Sequence, residues 1–392
     1  MIERTQVGIV GAGPAGLMLS HLLHRRGVES VVLERRSRDY VERRVRAGVL
    51  EHGAARLLRD AGVGERMERD AMVHGGIFIN YEGGRFHVDF QRLTGRGILV
   101  YGQQLVVRDL IDARLAAGGE IRFEAEARAI EGIDGDRPLI RYRQGGPERT
   151  LRCDFVAGCD GSHGIGRSSM PAGTRVYERA YPHAWLGILA RTPPASDELI
   201  YAYHDRGFAL HSMRTPEISR LYLQIQADED ERTWSEERIW EELRIRLGEP
   251  GLHSGEILER GATPMRSLVV EPMQAGRLFL SGDAAHVVPP TGAKGMNLAL
   301  GDVAILARAL AEWFEDGRRE PLDAYTARCG RRVWRTEHFS SFMTELLHRG
   351  PGEDAFAHRL RLSHLAYLER STAARTSLAE NYTGAATDDI DR

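Results

Sequence analysis

Three glycines near the start of the chain are spaced to bind a dinucleotide. Gly11, Gly13 and Gly16 follow a short apolar stretch and open a segment with helical periodicity. In this pattern the first glycine permits a tight turn, the second lets the backbone approach a pyrophosphate, and the third lets helix and strand pack closely. Glu34 ends the next predicted strand, where a carboxylate can accept hydrogen bonds from ribose hydroxyls. These residues predict a bound dinucleotide but do not distinguish FAD from NAD.

Two later segments favour FAD. Residues 278–280 predict a strand that runs directly into Gly282 and Asp283. Ligands of open α/β sheets bind at the carboxyl ends of the strands, so the Asp283 carboxylate would face the same cofactor. The second segment, CDGSHG at 159–164, again places an aspartate, Asp160, before a glycine.

Polar side chains on two predicted neighbouring strands could bind an anion. Because side chains alternate along a strand, Ser212 and Arg214 share one face, and Arg220 and Tyr222 share one face of the next strand. If the hairpin centres on Glu217, Ser212 lies opposite Tyr222 and Arg214 opposite Arg220. A guanidinium offers a forked pair of donors to a carboxylate. The pattern predicts a carboxylate pocket, with a solvated polar sheet face as the alternative.

The predicted secondary structure differs between the start, the middle and the end of the chain. Residues 6–10 and 30–33 predict strands around a helix at 16–26 that Gly27 ends, and this βαβ opening implies a parallel sheet. Short strands separated by turn residues predict an inserted antiparallel sheet in the middle of the chain, at 199–203, 207–214 and 219–226. A helix is expected from about Gly295, and the chain from Pro321 is helix-like.

Composition excludes several classes of protein. The 392 residues carry a formal net charge of -3, so no global field attracts nucleic acid or an anionic membrane. No apolar run approaches a bilayer span, and the first residues resemble no signal peptide. The three cysteines are an odd, sparse set, which argues for a reducing compartment and against a disulfide framework. They include no Cys-x-x-Cys pair, which argues against the simplest zinc site. We expect a cytoplasmic protein with no metal.

Four further segments carry a resemblance to a known family: RVRAGVLE (44–51), VYGQ (100–103), VPPTGAKGMN (288–297) and AENY (379–382). With the motifs above, they resemble the flavoprotein aromatic hydroxylases, which are single-component FAD monooxygenases, through nearly the whole chain. The resemblance implies an α/β (α+β composite) fold: a Rossmann-like FAD-binding domain, an inserted antiparallel-sheet substrate domain and a helical C-terminal region. We divide the chain into an FAD-binding domain (1–73, 97–180 and 266–345), a substrate-binding domain (74–96 and 181–265) and a C-terminal region (346–392) expected to form a homodimer interface.

The resemblance also implies a reaction. In the implied reaction, 4-hydroxybenzoate is hydroxylated at C3 to 3,4-dihydroxybenzoate (protocatechuate). The enzyme would use NAD(P)H and O2, and the oxygen would be transferred from a flavin C4a-hydroperoxide. Tyr201 is expected to contact the phenolic oxygen, Tyr382 to bond Tyr201, and His74 to end a proton relay to solvent, while the Pro290 carbonyl borders the reacting ring. The substrate contacts implied are Tyr201, Ser212, Met213, Arg214, Tyr222, Pro290 and Thr291.

Cofactor contacts follow from the same resemblance. FAD is expected to bind tightly without a covalent bond, whereas the nicotinamide coenzyme visits the surface of the FAD domain. Arg35 and Tyr40 resemble members that prefer NADPH, but Arg36 and Arg38 depart from that pattern, so NADPH is favoured and NADH stays possible. Ala15 replaces a frequent serine. The cofactor contacts implied are Gly11, Gly13, Ala15, Gly16, Glu34, Arg35, Arg44, Arg46, Ala47, Gly48, Val49, Gln103, Asp160, His163, Arg167, Arg220, Arg266, Asp283, Gly292, Gly295, Met296 and Asn297.

Three alternatives stay open. A sister hydroxylase acting on 3-hydroxybenzoate, salicylate or 3,4-dihydroxybenzoate would share every motif. An NAD-dependent dehydrogenase would explain the glycine turn and Glu34 but not Gly282-Asp283. A non-catalytic flavin-binding regulator would not need Tyr201, Tyr382 and His74 together.

Overall fold

The structure, a computed structural model, describes residues 2–44, 46 and 48–384. Ala47, expected to contact the cofactor, and residues 385–392 of the expected C-terminal region lie outside the described residues. In chain order the strands are β1 (Ile2–Val10), β2 (Ser30–Leu33), β3 (Val49–Leu50), β4 (Met72–His74), β5 (Gly76–Tyr81), β6 (Gly84–Asp89), β7 (Ile98–Val100), β8 (Glu120–Arg122), β9 (Glu126–Glu131), β10 (Leu139–Arg143), β11 (Glu148–Gly158), β12 (Arg175–Arg191), β13 (Leu199–Ala202), β14 (Ala209–Thr215), β15 (Ile218–Gln226), β16 (Glu256–Glu271), β17 (Gln274–Ala275), β18 (Leu278–Leu280) and β19 (His286–Val287).

The helices flank these strands and dominate the end of the chain. They are α1 (Pro14–His24), α2 (Arg38–Arg43), α3 (His52–Asp60), α4 (Glu65–Asp70), α5 (Phe90–Thr94), α6 (Gln103–Ala116), α7 (Ile165–Ser168), α8 (Glu236–Leu247), α9 (Gly295–Asp316), α10 (Glu320–Asp323), α11 (Tyr325–Leu347), α12 (Ala355–Arg370) and α13 (Thr372–Tyr382). Short 3-10 turns lie at Glu231–Thr233, Gly282–Ala284 and Pro290–Gly292.

The first sheet holds the glycine turn. Its order is β17-β18-β11-β1-β2-β8, with β10 and β9 continuing from β11. The pairs β1–β2, β1–β11, β2–β8 and β11–β18 are parallel, so the predicted βαβ opening is confirmed. Helix α1 begins at Pro14, two residues before the predicted start, because proline suits the first turn of a helix. Its apolar residues and those of α9 share one core with the sheet.

The second sheet is the inserted one. Its order is β19-β16-β12-β15-β14-β13-β5-β6, and its pairs are antiparallel except that β13 runs parallel to β5. One face packs on α11, α12 and α13, and the other packs on α8. The domain boundaries predicted at 180/181 and 265/266 fall inside the long strands β12 and β16. The division into domains therefore stays a prediction.

The predicted register of the β14–β15 hairpin is wrong by two residues. Ser212 lies opposite Arg220, and Leu210 lies opposite Tyr222. Thr215 pairs with Ile218, so the turn has only two residues, and the register shifts between Met213 and Thr215. Arg214 is thus the extra residue of a bulge, which re-aims its side chain. Because the error is an even number of residues, Ser212, Arg220 and Tyr222 keep the predicted face.

Within the part of the chain that the structure describes, no helix combines the length and apolar character needed to cross a bilayer.

Candidate active site

The three glycines of the first turn each meet a different physical constraint. Gly11 has a positive φ of 104°, and a Cβ there would lie 2.4 Å from the Cys159 carbonyl oxygen. A Cβ on Gly16 would lie 2.0 Å from the Gly11 carbonyl oxygen, so only glycine allows α1 to pack this closely on β1. A Cβ on Gly13 would meet nothing within 4 Å. The backbone at Gly13 is therefore open to an approaching phosphate at the N-terminus of α1, as FAD requires.

Glu34 stabilises this turn with its own carboxylate. One carboxylate oxygen accepts from the Ala12 N–H at 2.8 Å, and the other accepts from the Arg36 N–H at 2.8 Å. A carboxylate accepts about four hydrogen bonds, so Glu34 keeps capacity for ribose hydroxyls. Its first role is to fix the loop that would surround them.

Gly282 and Asp283 follow β18 in a tight turn that the buried Asp302 carboxylate holds in place. Gly282 has a positive φ of 62°, and its N–H donates to Asp302 Oδ2 at 3.0 Å. The same oxygen bonds His286 Nε2 at 2.6 Å. Although burial opposes it, the Asp302 carboxylate raises the pKa of His286, so this buried pair favours the charged form. Asp283 itself is exposed beside the glycine turn, and its charge acts on Arg44.

Residues 49–51 are fixed to the start of α9. The Asn297 amide donates to the Val49 and Ala293 carbonyls at 2.9 and 3.1 Å and accepts from the Glu51 N–H at 2.9 Å. Asn297 therefore positions the segment rather than presenting its amide to a ligand. A Cβ on Gly295 would meet nothing within 4 Å, which leaves the positive end of α9 open to a negatively charged group.

The remaining predicted cofactor contacts differ in exposure. Asp160 Oδ2 accepts from the Gly166 N–H at 2.8 Å and so caps α7, while its Oδ1 is buried without a partner among the described residues. Arg167 donates to the Ser162 carbonyl at 2.5 Å, and His163 is exposed. Of the others, Ala15, Gly48, Val49 and Gly292 are buried, Gln103, Arg266 and Met296 are half-buried, and Arg46 is exposed.

The predicted substrate residues lie on the sheet face that packs on the C-terminal helices. Tyr201, Leu210 and Tyr222 form one row across β13, β14 and β15, and Ser212 with Arg220 forms the next row. Two strand spacings separate Tyr201 from Tyr222, about 10 Å. Tyr222 packs on Trp185 with ring centroids 4.8 Å apart. The face thus holds a hydroxyl, a guanidinium and phenols.

Arg214 is a half-buried cation without an anionic partner among the described residues. Its Nε is buried with no hydrogen-bond partner, and no carboxylate of the described residues forms an ion pair with it. Burial lowers the pKa of the Arg214 guanidinium, and the charge of Arg220 lowers it further, while Tyr222 hydrogen-bonds to it. Arg220 instead pairs with Glu259 at 3.4 Å. A partly desolvated guanidinium without a counter-charge is costly, so this site favours an anionic ligand.

Tyr201 and Tyr382 form a buried phenol pair. Their hydroxyl oxygens are 2.7 Å apart, and the Tyr201 hydroxyl donates to the Thr291 carbonyl at 3.0 Å. Both side chains are 1% exposed. Burial raises the pKa of Tyr201 and of Tyr382 well above the ordinary value, so both stay protonated at neutral pH. The pair can pass a proton along but cannot retain a negative charge.

His74 is buried apart from this pair. Neither of its ring nitrogens has a hydrogen-bond partner among the described residues, so no direct bond joins it to Tyr382. Burial lowers the pKa of His74, with Glu198 raising it and Arg214 lowering it. His74 is therefore neutral at neutral pH and able to accept a proton.

Sequence reasoning missed the cation that positions Tyr382. Lys294, 3% exposed, donates to Glu51 Oε1 at 2.6 Å and to the Asn381 and Tyr382 carbonyls at 2.7 Å each. All three ammonium protons are satisfied, and the end of α13 is fixed beside Tyr201. The signal was a lysine inside the glycine- and proline-rich segment 288–297, because a lysine in a buried segment requires partners.

Replacing Lys294 with methionine is expected to destabilise the protein by about 3–5 kcal/mol, because the Glu51 carboxylate is left buried without its partner. Denaturant unfolding of the FAD-bound protein measures the loss. The double variant with Glu51→Gln is the control, and it should recover most of the stability. Equal stability of Lys294→Met and the unaltered protein would contradict this account of the pair.

These features agree with comparisons to known proteins. A family model described as "FAD binding domain" matches residues 4–340, so the chain belongs to that family of flavoproteins. p-Hydroxybenzoate hydroxylase from Acinetobacter baylyi is 45% identical over 97% of this chain and 95% of its own length. Rifampicin monooxygenase from Streptomyces venezuelae is 29% identical over 81% of this chain and 67% of its own. The predicted membership of the flavoprotein aromatic hydroxylases and the predicted FAD cofactor are thereby confirmed.

A solved structure shares the fold at lower sequence identity. p-Nitrophenol 4-monooxygenase from Pseudomonas putida superposes with a TM-score of 0.81 at 19% identity, covering 97% of this chain and 99% of the other. The predicted fold class, an α/β composite with an inserted sheet and a helical C-terminal region, is confirmed.

Proposed function

We propose that this chain is a monooxygenase that hydroxylates 4-hydroxybenzoate at C3 to 3,4-dihydroxybenzoate. One molecule each of substrate, O2 and NAD(P)H, with one proton, gives the dihydroxy acid, water and NAD(P)+. The observation that carries the proposal is the half-buried Arg214, whose Nε has no partner, which lacks a carboxylate partner among the described residues, and which lies on the strand next to that of Tyr201. The 45% identity to a p-hydroxybenzoate hydroxylase supports it.

The arrangement of these side chains favours a ligand with a carboxylate at one end and a hydroxyl at the other. The Arg214 fork and the Ser212 hydroxyl would hold a carboxylate, with Tyr222 adding a third donor. Tyr201 lies about 10 Å from Tyr222 across the sheet and would meet a hydroxyl at the opposite end of the ring. A para arrangement of carboxylate and hydroxyl matches these two separated contacts.

The chain's own residues would move the phenolic proton. A phenolate is richer in electrons than a phenol, and hydroxylation requires the richer ring. The phenolic proton passes to Tyr201 Oη while the Tyr201 hydroxyl turns from the Thr291 carbonyl and gives its own proton to Tyr382 Oη, 2.7 Å away, and the Tyr382 proton is released. Because burial raises both tyrosine pKa values, the proton must finally leave the pair. His74, whose pKa burial lowers, is the proposed acceptor.

Bound FAD, reduced by the coenzyme, supplies the oxygen atom from O2 in electrophilic form. Gly13, Glu34, Asp283 and the N-termini of α1 and α9 would hold it. The Pro290–Gly292 turn lies between the tyrosine pair and α9, so Pro290 and Thr291 would border the ring that reacts. The apolar packing of α13 on this face excludes water from the site.

We propose NADPH as the preferred coenzyme and NADH as the weaker one. Arg38 is engaged by Glu42 and by Asp112, the latter at 3.1 Å, and Arg36 lies over the Tyr40 ring at 5.0 Å. Arg35 forms no ion pair with any described residue and would be free to meet a 2′-phosphate. We place the enzyme in the cytoplasm, where these coenzymes are supplied.

Steady-state oxidation of NADPH and NADH with a panel of hydroxybenzoates tests this function. We expect 4-hydroxybenzoate to stimulate oxidation most and NADPH to be used better than NADH. A higher rate with 3-hydroxybenzoate, salicylate or 3,4-dihydroxybenzoate would identify a sister hydroxylase instead.

We also propose a homodimer that forms through α12. Phe356, Leu360 and Tyr367 lie on one face of this helix and are 71%, 58% and 56% exposed. Such an apolar stripe is typical of a subunit contact. Sedimentation of the Phe356→Asp/Leu360→Asp variant is expected to give a monomer, whereas Leu115→Asp, on the exposed side of α6, should leave a dimer. A monomeric unaltered protein would contradict the proposal.

A further inference from the structure

His348, which directly follows the last residue of α11, is buried and uses both of its ring nitrogens. Nδ1 bonds the Thr344 carbonyl oxygen at 2.9 Å, and Nε2 bonds the Trp185 indole nitrogen at 2.6 Å. A carbonyl oxygen can only accept and an indole N–H can only donate, so Nδ1 carries the proton and Nε2 accepts. Burial lowers the pKa of His348 well below its ordinary value, in agreement with a neutral ring. The two partners therefore set the tautomer of His348.

The bond to His348 fixes the Trp185 ring within an aromatic cluster. Trp185 stacks on Phe208 with ring centroids 5.2 Å apart, and the Phe208 and His348 rings are stacked at 4.3 Å. The indole also packs on Tyr222, as described above. Trp185, Phe208 and Tyr222 belong to the same apolar cluster as Tyr201. The indole held by His348 therefore lies beside the residues proposed to bind the substrate.

Tyr222 has little room to adjust to a movement of Trp185. It lies directly opposite Gly187 on β12, and a Cβ on Gly187 would lie 3.3 Å from the Tyr222 ring. The same Cβ would lie 3.0 Å from the Arg220 guanidinium. Because closely packed rings transmit displacements, a shift of Trp185 would move the Tyr222 hydroxyl.

The same turn of α11 contacts the other end of the proposed pocket. The Thr344 hydroxyl donates to the Ser340 carbonyl at 2.7 Å and so accepts from the Thr291 hydroxyl at 2.8 Å. The Thr291 carbonyl in turn accepts from the Tyr201 hydroxyl. Thr344 and His348 therefore connect the hydroxyl end and the carboxylate end of the pocket to one helical turn.

We propose that His348 is a positioning residue that holds the Trp185 indole against Tyr222 and so fixes the wall of the pocket that receives the carboxylate of the substrate. The inference rests on the proposed function, in which Tyr222 is the third donor to that carboxylate. His348 contacts no substrate atom and takes no part in the proton path. We therefore expect it to act on the affinity for the substrate and not on the hydroxylation step.

Nitrogen-15 NMR of the unaltered, FAD-bound protein with labelled histidine and tryptophan tests the contact without using activity. At pH 7 we expect His348 to have a protonated Nδ1 and an unprotonated Nε2. A scalar coupling between Nε2 and the Trp185 indole nitrogen should be visible across their hydrogen bond. The opposite tautomer, or a charged His348 ring, would overturn the inference.

Dissociation constants from flavin fluorescence test the effect on the substrate. We expect His348→Leu to weaken binding of 4-hydroxybenzoate about 3- to 10-fold, because one hydrogen bond no longer positions the wall. The product formed per NADPH at saturating substrate should stay unchanged. His348→Gln, whose amide oxygen can accept from the indole N–H, should restore the affinity. Full affinity in His348→Leu would overturn the inference.

The methyl ester of 4-hydroxybenzoate separates positioning from general damage to the fold. Because it carries no anion at that end, it should bind His348→Leu and the unaltered protein alike. Equal weakening of the acid and the ester would overturn the inference.

Two further variants isolate the hydrogen bond from ring packing. His183→Leu should leave affinity unchanged, because His183 stacks on His348 at 4.6 Å but forms no hydrogen bond with any described residue. The Trp185→Phe/His348→Leu variant leaves no indole N–H unpaired, so the comparison holds even where His348→Leu folds poorly. It should bind the acid as Trp185→Phe does. A loss in His183→Leu equal to that in His348→Leu, or a further loss in the double variant, would overturn the inference.

Failure of this inference and failure of the proposed function give different results. Absence of 4-hydroxybenzoate hydroxylation by the unaltered enzyme would overturn the proposed function, whereas the NMR result would still decide the contact. Normal hydroxylation with unchanged affinity in His348→Leu would overturn only the role of His348.

Discussion

Tyr201→Phe is expected to oxidise NADPH while forming about 10²- to 10⁴-fold less 3,4-dihydroxybenzoate, with hydrogen peroxide released instead. The Tyr201 hydroxyl is the only one of the pair expected to contact the substrate, and it is bonded to Tyr382 at 2.7 Å. Without it the phenolic proton has no exit, and the ring stays a phenol that reacts poorly. Flavin reduction does not need this proton transfer, so the coenzyme is still consumed.

The matched control for this prediction is Tyr203→Phe. Tyr203 is equally buried two residues along the chain, but its hydroxyl bonds His358 Nδ1 at 2.7 Å, away from the proposed substrate. That variant should remain coupled. Product, peroxide and NADPH are measured in the same reaction. Full coupling in Tyr201→Phe would remove Tyr201 from the proton path.

Arg214→Lys is expected to weaken binding of 4-hydroxybenzoate by about 10- to 10²-fold. The substitution keeps the positive charge but replaces a rigid fork with a point charge, which loses a charge-assisted hydrogen bond worth about 1.5–3 kcal/mol. The bulge at Arg214 aims the fork, and a lysine ammonium in that place cannot bond both carboxylate oxygens in one plane. Dissociation constants from flavin fluorescence report the change directly.

Two controls separate the carboxylate contact from general damage. Arg191→Lys, at an exposed ion pair with Glu256 on the same sheet, should leave affinity unchanged. The methyl ester of 4-hydroxybenzoate, which lacks the anion, should bind the Arg214→Lys variant and the unaltered protein alike. Unchanged affinity for the free acid in Arg214→Lys would mean that the carboxylate binds elsewhere.

Local patterns predicted the elements and the faces of this molecule well. The glycine turn was predictable because the backbone geometry alone requires glycine there. A Cβ on Gly11 or Gly16 would collide with a backbone carbonyl oxygen. The sheet face on which Ser212 and Tyr222 lie was predictable because successive side chains of a strand point to opposite faces. The hairpin register was not, because the bulge at Arg214 depends on how tightly residues 215–218 turn.

Contacts between distant segments were beyond sequence reasoning alone. Lys294 joins Glu51 to the carbonyls of residues 381 and 382, and no spacing rule connects three segments so far apart.

The most direct test is the product formed under ¹⁸O₂. FAD-bound protein is incubated with 4-hydroxybenzoate, NADPH and labelled oxygen, and the product is identified by mass and by its substitution pattern. The account predicts 3,4-dihydroxybenzoate carrying one ¹⁸O atom at C3, with one NADPH consumed for each molecule formed. NADPH oxidation that yields only hydrogen peroxide, or a label at another ring position, would contradict it.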